Sequence, residues 1–224
     1  LIVPEVNEPQ FTRGIIANPN CSTIQSVVPL KILQDAYGLK RVAYTTYQAV
    51  SGSGIKGKRD LAEGANGKEP EAYPYPIYNN VLPHIDVFLE NGYTKEEQKM
   101  IDETKKILND QDLKVTATCV RVPVQDSHSI EIDVTLNQDT TVKEIQELFA
   151  HDQRVVLVDN PSKNEYPLAI HSTGKDEVFV GRIRRDDSLE NTFHVWCTSD
   201  NLLKGAALNA VQVLEQILTL KGAR

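Results

Sequence analysis

The stretch Gly14–Leu33, GIIANPNCSTIQSVVPLKIL, decides how the chain is read. A short apolar run, GIIA, stops at the turn-forming NPN of Asn18–Asn20. Cys21 follows, and then an apolar pattern of helical length. The pattern predicts a buried strand, a tight turn and a helix with Cys21 in its first turn. Free amides at a helix start, together with the helix dipole, stabilise an anion placed there. A thiol at that position is therefore expected to have a lowered pKa and more thiolate near neutrality. The turn would push it out of the sheet edge, where a nucleophile is needed. The competing reading is a small buried residue that only packs.

Working outward, Leu1–Val3 reads as another short strand, and Ser22–Tyr37 as a helix closed by Gly38. Pro29 inside it predicts a kink or an early stop. KRVAYTTYQAV alternates and is rich in β-branched and aromatic residues, so a strand is expected. The Gly-, Pro- and charge-rich run SGSGIKGKRDLAEGANGKEPEAYPYP reads as a long loop with one helical turn. TKEEQKMIDETKKIL reads as a helix, with Thr94 as N-cap and Glu97 completing a capping box. LKVTATCVRVPV, SHSIEIDVTL, RVVLVD, EVFVGRIRRD and TFHVWCTS read as strands, TVKEIQELFAH as a helix. NLLKGAALNAVQVLEQILTL is a terminal helix with a broad apolar face. There is no strict βαβ repeat, and the expected class is one α+β domain over residues 1–224, a mixed β-sheet with helices on one face.

The 224 residues carry a formal charge of −7 and 40% hydrophobic side chains. They are enough for one large domain or two small ones. The acidic balance, without a Lys/Arg stripe, argues against nucleic acid. No apolar run approaches the roughly 18 residues that span a bilayer, and no signal peptide is visible. Cys21, Cys119 and Cys197 are odd in number and widely spaced, which is no disulfide framework. No CxxC pair or His/Cys cluster suggests a metal, so a reduced, cytoplasmic protein is expected. The start at Leu1, inside an apolar run, points to a fragment or a processed product.

Gly52–Gly57, GSGIKG, matches the dinucleotide-binding pattern literally, but KRDLAEGANG after it is a poor helix and no βαβ unit completes it. A glycine turn that lets a ligand approach backbone is the better reading. Arg121 lies in an apolar strand, where an unpaired guanidinium is costly, and should meet a carboxylate from protein or ligand. His128 follows a Pro-containing bend and on its own reads as a surface histidine, like His84, His151, His171 and His194. Glu96 and Lys99, three apart on one helix face, read as a solvated ion pair.

Taken together these segments resemble the aspartate-β-semialdehyde dehydrogenase family. PEVN, NPNCST, TTYQAVSGSG, CVRVPV…HS, VGRIR and DNLLKGAALNAVQ stand in that family's order, with 27 residues from Cys21 to Gln48 and 7 from Arg121 to His128. The resemblance implies a substrate and dimerisation domain like the C-terminal domain of glyceraldehyde-3-phosphate dehydrogenase-like enzymes. It further implies that the helix 202–220 packs on an N-terminal NADP-binding domain whose phosphate loop is absent here. The implied reaction is NADPH-dependent reduction of aspartyl-β-phosphate to the semialdehyde through a Cys21 thioester, in lysine, threonine, methionine and isoleucine biosynthesis. His128 would be the general acid/base, and Gln48 would hold the acyl group. Arg121 would grip the α-carboxylate, Glu96 the α-ammonium, and Lys99 with the amide of Asn20 the phosphate. Ser51, Gly52 and Asn201 would touch the nicotinamide end of NADP. A homodimer is implied, with the chain alone inactive. Three rivals stand beside this reading. They are another acyl-phosphate reductase such as the N-acetylglutamyl-phosphate enzyme, a cysteine hydrolase or acyltransferase, and a non-catalytic dimerisation module.

Overall fold

Helix α1, Cys21–Tyr37, lies at the centre of the fold. A computed structural model describes residues 1–8, 15–220 and 222. Ser22–Leu30 are all buried, as befits a helix enclosed on every side. Pro29 does not stop it. Its missing N–H frees the carbonyl of Gln25, and the Cys197 thiol donates to that oxygen at 3.5 Å. Gly38, at φ 67°, ends the helix and sends its amide to Gln34 O at 2.9 Å.

The six-stranded sheet comprises β1 (Leu39–Gln48), β2 (Lys114–Arg121), β3 (His128–Leu136), β4 (Val156–Leu157), β5 (Phe179–Arg185) and β6 (Thr192–Ser199). Their order is β2-β1-β3-β6-β5-β4. The β1/β2 and β4/β5 pairs are parallel and the rest antiparallel, so the sheet is mixed as expected. Side chains alternate across it. Val42, Tyr44, Ile130, Ile132, Val134, Phe193, Val195 and Cys197 face α1 and form the core with Ile24, Val27, Val28 and Leu30. Helices α3 (Lys95–Ile107) and α4 (Val142–His151) flank α1 on that face. Both begin with capping boxes, Thr94/Glu97 and Thr141/Glu144.

The opposite face carries Tyr47, Glu131, Asp133, His194 and Trp196. A groove of about 510 Å³ runs between Tyr47, Trp196, Tyr166 and Arg184. The spacing of the chain shows no metal cluster, yet the fold gathers Asp133, Asp186 and His194 here. Two of them have partners within the protein: Arg41 donates to Asp133 at 2.7 Å, and His194 Nδ1 lies 2.6 Å from Glu131.

Four expectations need correction. Leu1–Val3 is not a strand: Val3 is buried, but its amide goes to the Asn7 side chain at 2.9 Å rather than to a ladder. GIIA is not a strand either, since Ile15 is extended and 98% exposed; its Gly14 lies outside the described residues. The glycine-rich run holds an eleven-residue helix, α2 (Gly54–Gly64), after a 3₁₀ turn at Val50–Ser53. A non-local anchor stabilises it, because the buried Asp60 carboxylate accepts the amides of Glu71 and Ala72 at 2.7–3.0 Å. RVVLVD contributes only the two-residue β4.

The terminal segment opens as a π-helical turn, Leu203–Ala207, and continues as α6, Leu208–Leu220. A four-residue helix, α5 (Ala169–Ser172), sits against Thr198 of β6. Val211, Leu214, Leu218 and Leu220 are exposed on α6. Among the described residues no helix is long and apolar enough to cross a membrane.

Candidate active site

One end of the sheet collects the candidate residues. Gln48 ends β1 and pairs in register with Arg121, the last residue of β2. His128 opens β3 opposite Ser199, the last residue of β6. Cys21 is the first residue of α1, and Asn20 is its N-cap. Ends of four strands and the start of a helix therefore converge.

Cys21 Sγ and His128 Nε2 lie 3.2 Å apart. The Ala49 amide donates to His128 Nδ1 at 3.0 Å. That bond needs a lone pair on Nδ1, so the neutral ring carries its proton on Nε2, pointing at sulfur. Burial, then the Arg121 charge, lowers the His128 pKa to about 3, which keeps the ring neutral at pH 7. His128 is thus fully buried beside the thiol and not a surface histidine.

The thiol does not follow the sequence expectation. Burial pushes Cys21 up to about 11 and the Glu96 carboxylate adds to the rise, against smaller effects of Arg121 and the Ser22 amide. The helix start is in place, but its amides are occupied. Asn20 Oδ1 accepts from Ser22 N and Thr23 N at 2.9 and 3.2 Å. A raised pKa means that thiolate grows about tenfold per pH unit until the pH reaches it. Iodoacetamide labelling, mapped by mass spectrometry, should find Cys21 first, because Cys119 and Cys197 are wholly buried and pushed up to about 12. The Cys21 rate should still climb above pH 9, where an ordinary thiol of pKa about 8.5 levels off. Glu96→Gln removes a charge that disfavours thiolate and should move that profile to lower pH. A plateau by pH 8.5, or no shift in the variant, would count against this electrostatic account.

Glu96 is a hub. Its Oε1 accepts from Asn20 Nδ2 at 2.7 Å and from Gln48 Nε2 at 3.2 Å. Lys99 Nζ lies 3.7 Å from its other oxygen and 3.1 Å from Asp86 Oδ2. Burial lowers the Lys99 pKa, but the hydrogen bond it donates to Asp86 and the charges of Glu96, Asp86 and Glu103 outweigh it and hold the amine above its ordinary value. The pair is therefore half-buried and built into the site, not a solvated surface pair. The Asn20 backbone amide donates to Glu103 Oε2 at 2.8 Å. Sequence reading missed Glu103; its i+7 spacing from Glu96, on the same face of α3, was the available signal.

Arg121 is 5% exposed and donates from Nη1 to Ala49 O at 2.7 Å. Among the described residues no carboxylate forms an ion pair with it, and its Nε has no partner. Gly52 sits over both functional side chains. A Cβ there would lie 2.9 Å from Arg121 Nη1 and 3.4 Å from His128 Cε1. Gly52→Ala should therefore displace the guanidinium. A loss of about tenfold or more in kcat/KM is expected, with the melting temperature nearly unchanged because Gly52 is exposed. Kinetics equal to the parent would show that the guanidinium tolerates the shift.

Ser51 Oγ lies 3.0 Å from Asn201 Nδ2, and Asn201 Oδ1 accepts the Ser127 amide at 2.9 Å. Both residues are buried. They adjoin His128 through the Ser127 amide, and Gly52, next in the chain to Ser51, is exposed.

With this geometry in view, the similarities to known proteins are specific. A family model described as semialdehyde dehydrogenase, dimerisation domain, matches residues 30–204. An aspartate-semialdehyde dehydrogenase of Aquifex aeolicus is 48% identical over 97% of this chain and 67% of its own length. The crystal structure of aspartate semialdehyde dehydrogenase II complexed with ASA from Vibrio cholerae superposes with a TM-score of 0.90, at 39% identity over 97% of this chain and 67% of that one. The Candida albicans aspartate semialdehyde dehydrogenase, solved with NADP, gives 0.68 at 26% identity, over 92% of this chain and 57% of that one. The chain spans about two thirds of the first two relatives and has the C-terminal-domain fold of glyceraldehyde-3-phosphate dehydrogenase-like enzymes. It belongs to the aspartate-semialdehyde dehydrogenase family, of which it carries the dimerisation domain.

Proposed function

We propose that this chain supplies the nucleophile and the substrate site for NADPH-dependent conversion of aspartyl-β-phosphate to aspartate semialdehyde and phosphate. The observation that carries the reading is Cys21 Sγ 3.2 Å from His128 Nε2 at the sheet end where Arg121 lies buried with no ion-paired carboxylate among the described residues. Such a guanidinium matches a ligand carboxylate held by two parallel hydrogen bonds. Glu96 is the acidic group for the α-ammonium, and Lys99 is the cation for phosphate. Every polar group of Asn20 is already engaged, so its role is to hold Cys21 and Glu96 rather than to bind phosphate freely.

The Cys21 thiol gives up its proton to solvent, since both ring nitrogens of His128 are engaged, and the resulting thiolate accepts a hydrogen bond from the Nε2–H of His128. Sulfur attacks the acyl carbon, the S–C bond forms, and the C–O bond to phosphate breaks. Gln48, tied to Glu96, keeps the acyl group in line with Sγ. The nicotinamide supplies the hydride that reduces the resulting thioester. The S–C bond then breaks, returning Cys21 thiolate and releasing the aldehyde. His128 Nε2–H, the donor beside Sγ, would stabilise the negative charge that builds on the acyl oxygen. The cradle over Gly52, which a side chain would fill, fits a flat ring approaching backbone, with Ser51 and Asn201 close by. The same reading makes the protein cytoplasmic and biosynthetic.

The test is a chain of the relatives' full length, assayed for NADPH oxidation with aspartyl phosphate and for an acyl adduct on Cys21. Preference for N-acetylglutamyl phosphate would point to the related reductase, and turnover without nicotinamide to a hydrolase. By the same reading the 224 residues alone dimerise through the sheet face opposite α1, release phosphate slowly and do not reduce. A monomer by light scattering at micromolar concentration would refute the dimer. The exposed face of α6 is the surface that an adjoining cofactor domain would cover. It should be the least protected helix in hydrogen exchange when that domain is absent.

A further inference from the structure

The terminal segment meets the nucleophile through an unusual piece of backbone. In the turn Leu203–Ala207 the amide bonds run five residues back: Gly205 N to Asp200 O, and Ala207 N to Leu202 O, each at 3.0 Å. Single π-helical turns of this kind cluster at functional sites. Here the widened turn presses Gly205 against the first residue of α1. A Cβ on Gly205 would lie 3.1 Å from Cys21 Cβ and 3.4 Å from its Cα and carbonyl oxygen. A side chain there would require Cys21 to give way by a few tenths of an ångström.

The turn is also tied to the NPN corner. Asn18 Nδ2 donates to Ala206 O at 3.1 Å, and Asn18 Oδ1 accepts from Asn209 Nδ2 at 2.7 Å. Asn209 also donates to Ile2 O at 3.0 Å. Lys204, 2% exposed, holds the turn from below through Glu5 at 2.6 and 2.8 Å and Gln212 at 2.7 Å. The corner before Cys21 is therefore fixed on one side by this turn and on the other by Glu103.

We propose that the π-helical turn Leu203–Ala207 is the positioning element of the nucleophile. Gly205 packed on Cys21, and Asn18 clamped to Ala206 and Asn209, set Sγ at hydrogen-bond distance from His128. The inference rests on the reading of Cys21 as nucleophile and adds Asn18 and Gly205 as positioning residues that the substrate does not touch. Substrate recognition by Arg121, Glu96 and Lys99 lies on other elements, so a loosened turn should harm the chemical step and spare binding.

Asn18 is exposed, which makes it the cleaner probe. In a chain of full length, Asn18→Ala should lower kcat about tenfold with KM for aspartyl phosphate changed by less than about twofold. Asn18→Asp keeps the acceptor for Asn209 and should recover part of the loss. Gly205→Ala should act in the same direction as Asn18→Ala. A second arm needs no turnover: alkylation of Cys21 by iodoacetamide, mapped by mass spectrometry, should change in rate by about threefold or more in both alanine variants. A lower melting temperature with unchanged Cys21 alkylation would overturn the proposal, as would a kcat loss matched by an equal rise in KM. If the parent does not turn over aspartyl phosphate, the dehydrogenase reading fails, and the alkylation arm still decides the positioning role.

Discussion

Cys21→Ser, in a chain of full length, is expected to lose on the order of 10⁴-fold in kcat, as removal of a nucleophile does when its partners act as a unit. Serine preserves size and the hydrogen bond to His128, so the fold and substrate binding should survive. What disappears is chemistry. A neutral hydroxyl is a far weaker nucleophile than a thiolate, and His128 cannot repair it. Its Nδ1 is held by the Ala49 amide and its Nε2 already bears the proton. Removing a proton from serine would need the base that this geometry does not offer. The measurement is steady-state NADPH oxidation together with substrate affinity by equilibrium binding. A variant retaining more than about a tenth of parent turnover would refute Cys21 as the nucleophile.

Arg121→Lys should cost about a hundredfold in kcat/KM, with the loss divided between KM and kcat. Lysine keeps the charge but loses the planar fork, and its amine would not keep the bond to Ala49 O while also spanning a carboxylate. The partner lost is external, so stability should fall much less than activity. Unchanged kinetics would mean that Arg121 serves the protein alone. The two variants fail in different ways, and together they separate reading the substrate from reacting with it.

Much of the architecture was legible because it is local. The capping boxes at Thr94/Glu97 and Thr141/Glu144 need only four consecutive residues, and strand alternation in Leu39–Gln48 or His128–Leu136 only the period of two. The placement of Cys21 at a helix start was readable for the same reason. What escaped was long-range. Helix α2 contains Gly57 and Gly64 and looks like a loop, until Asp60 is seen capping a chain segment eleven residues on. The apolar Leu1–Val3 segment buries Val3 without joining the sheet, because Asn7 takes its amide. The direction of the Cys21 shift was misjudged because burial and the nearby Glu96 charge are properties of the folded site. Lys204 is buried for the same kind of reason: its four oxygen partners come from Glu5 at the start of the chain and from Asn209 and Gln212 of α6.

Ala49 joins the ring of His128 to the guanidinium of Arg121, yet contributes no side-chain chemistry. Its N–H steers His128 and its C=O steers Arg121. Because one residue supplies both contacts, a shift of its backbone carries the two groups along together, and their separation is buffered against motion of the chain between Gln48 and Gly52. The arrangement is also hidden from genetics. Ala49→Gly keeps both contacts, larger residues fail first for want of room in a buried spot, and only proline deletes the donor. A survey of substitutions would score position 49 as a packing site, although its backbone holds both His128 and Arg121.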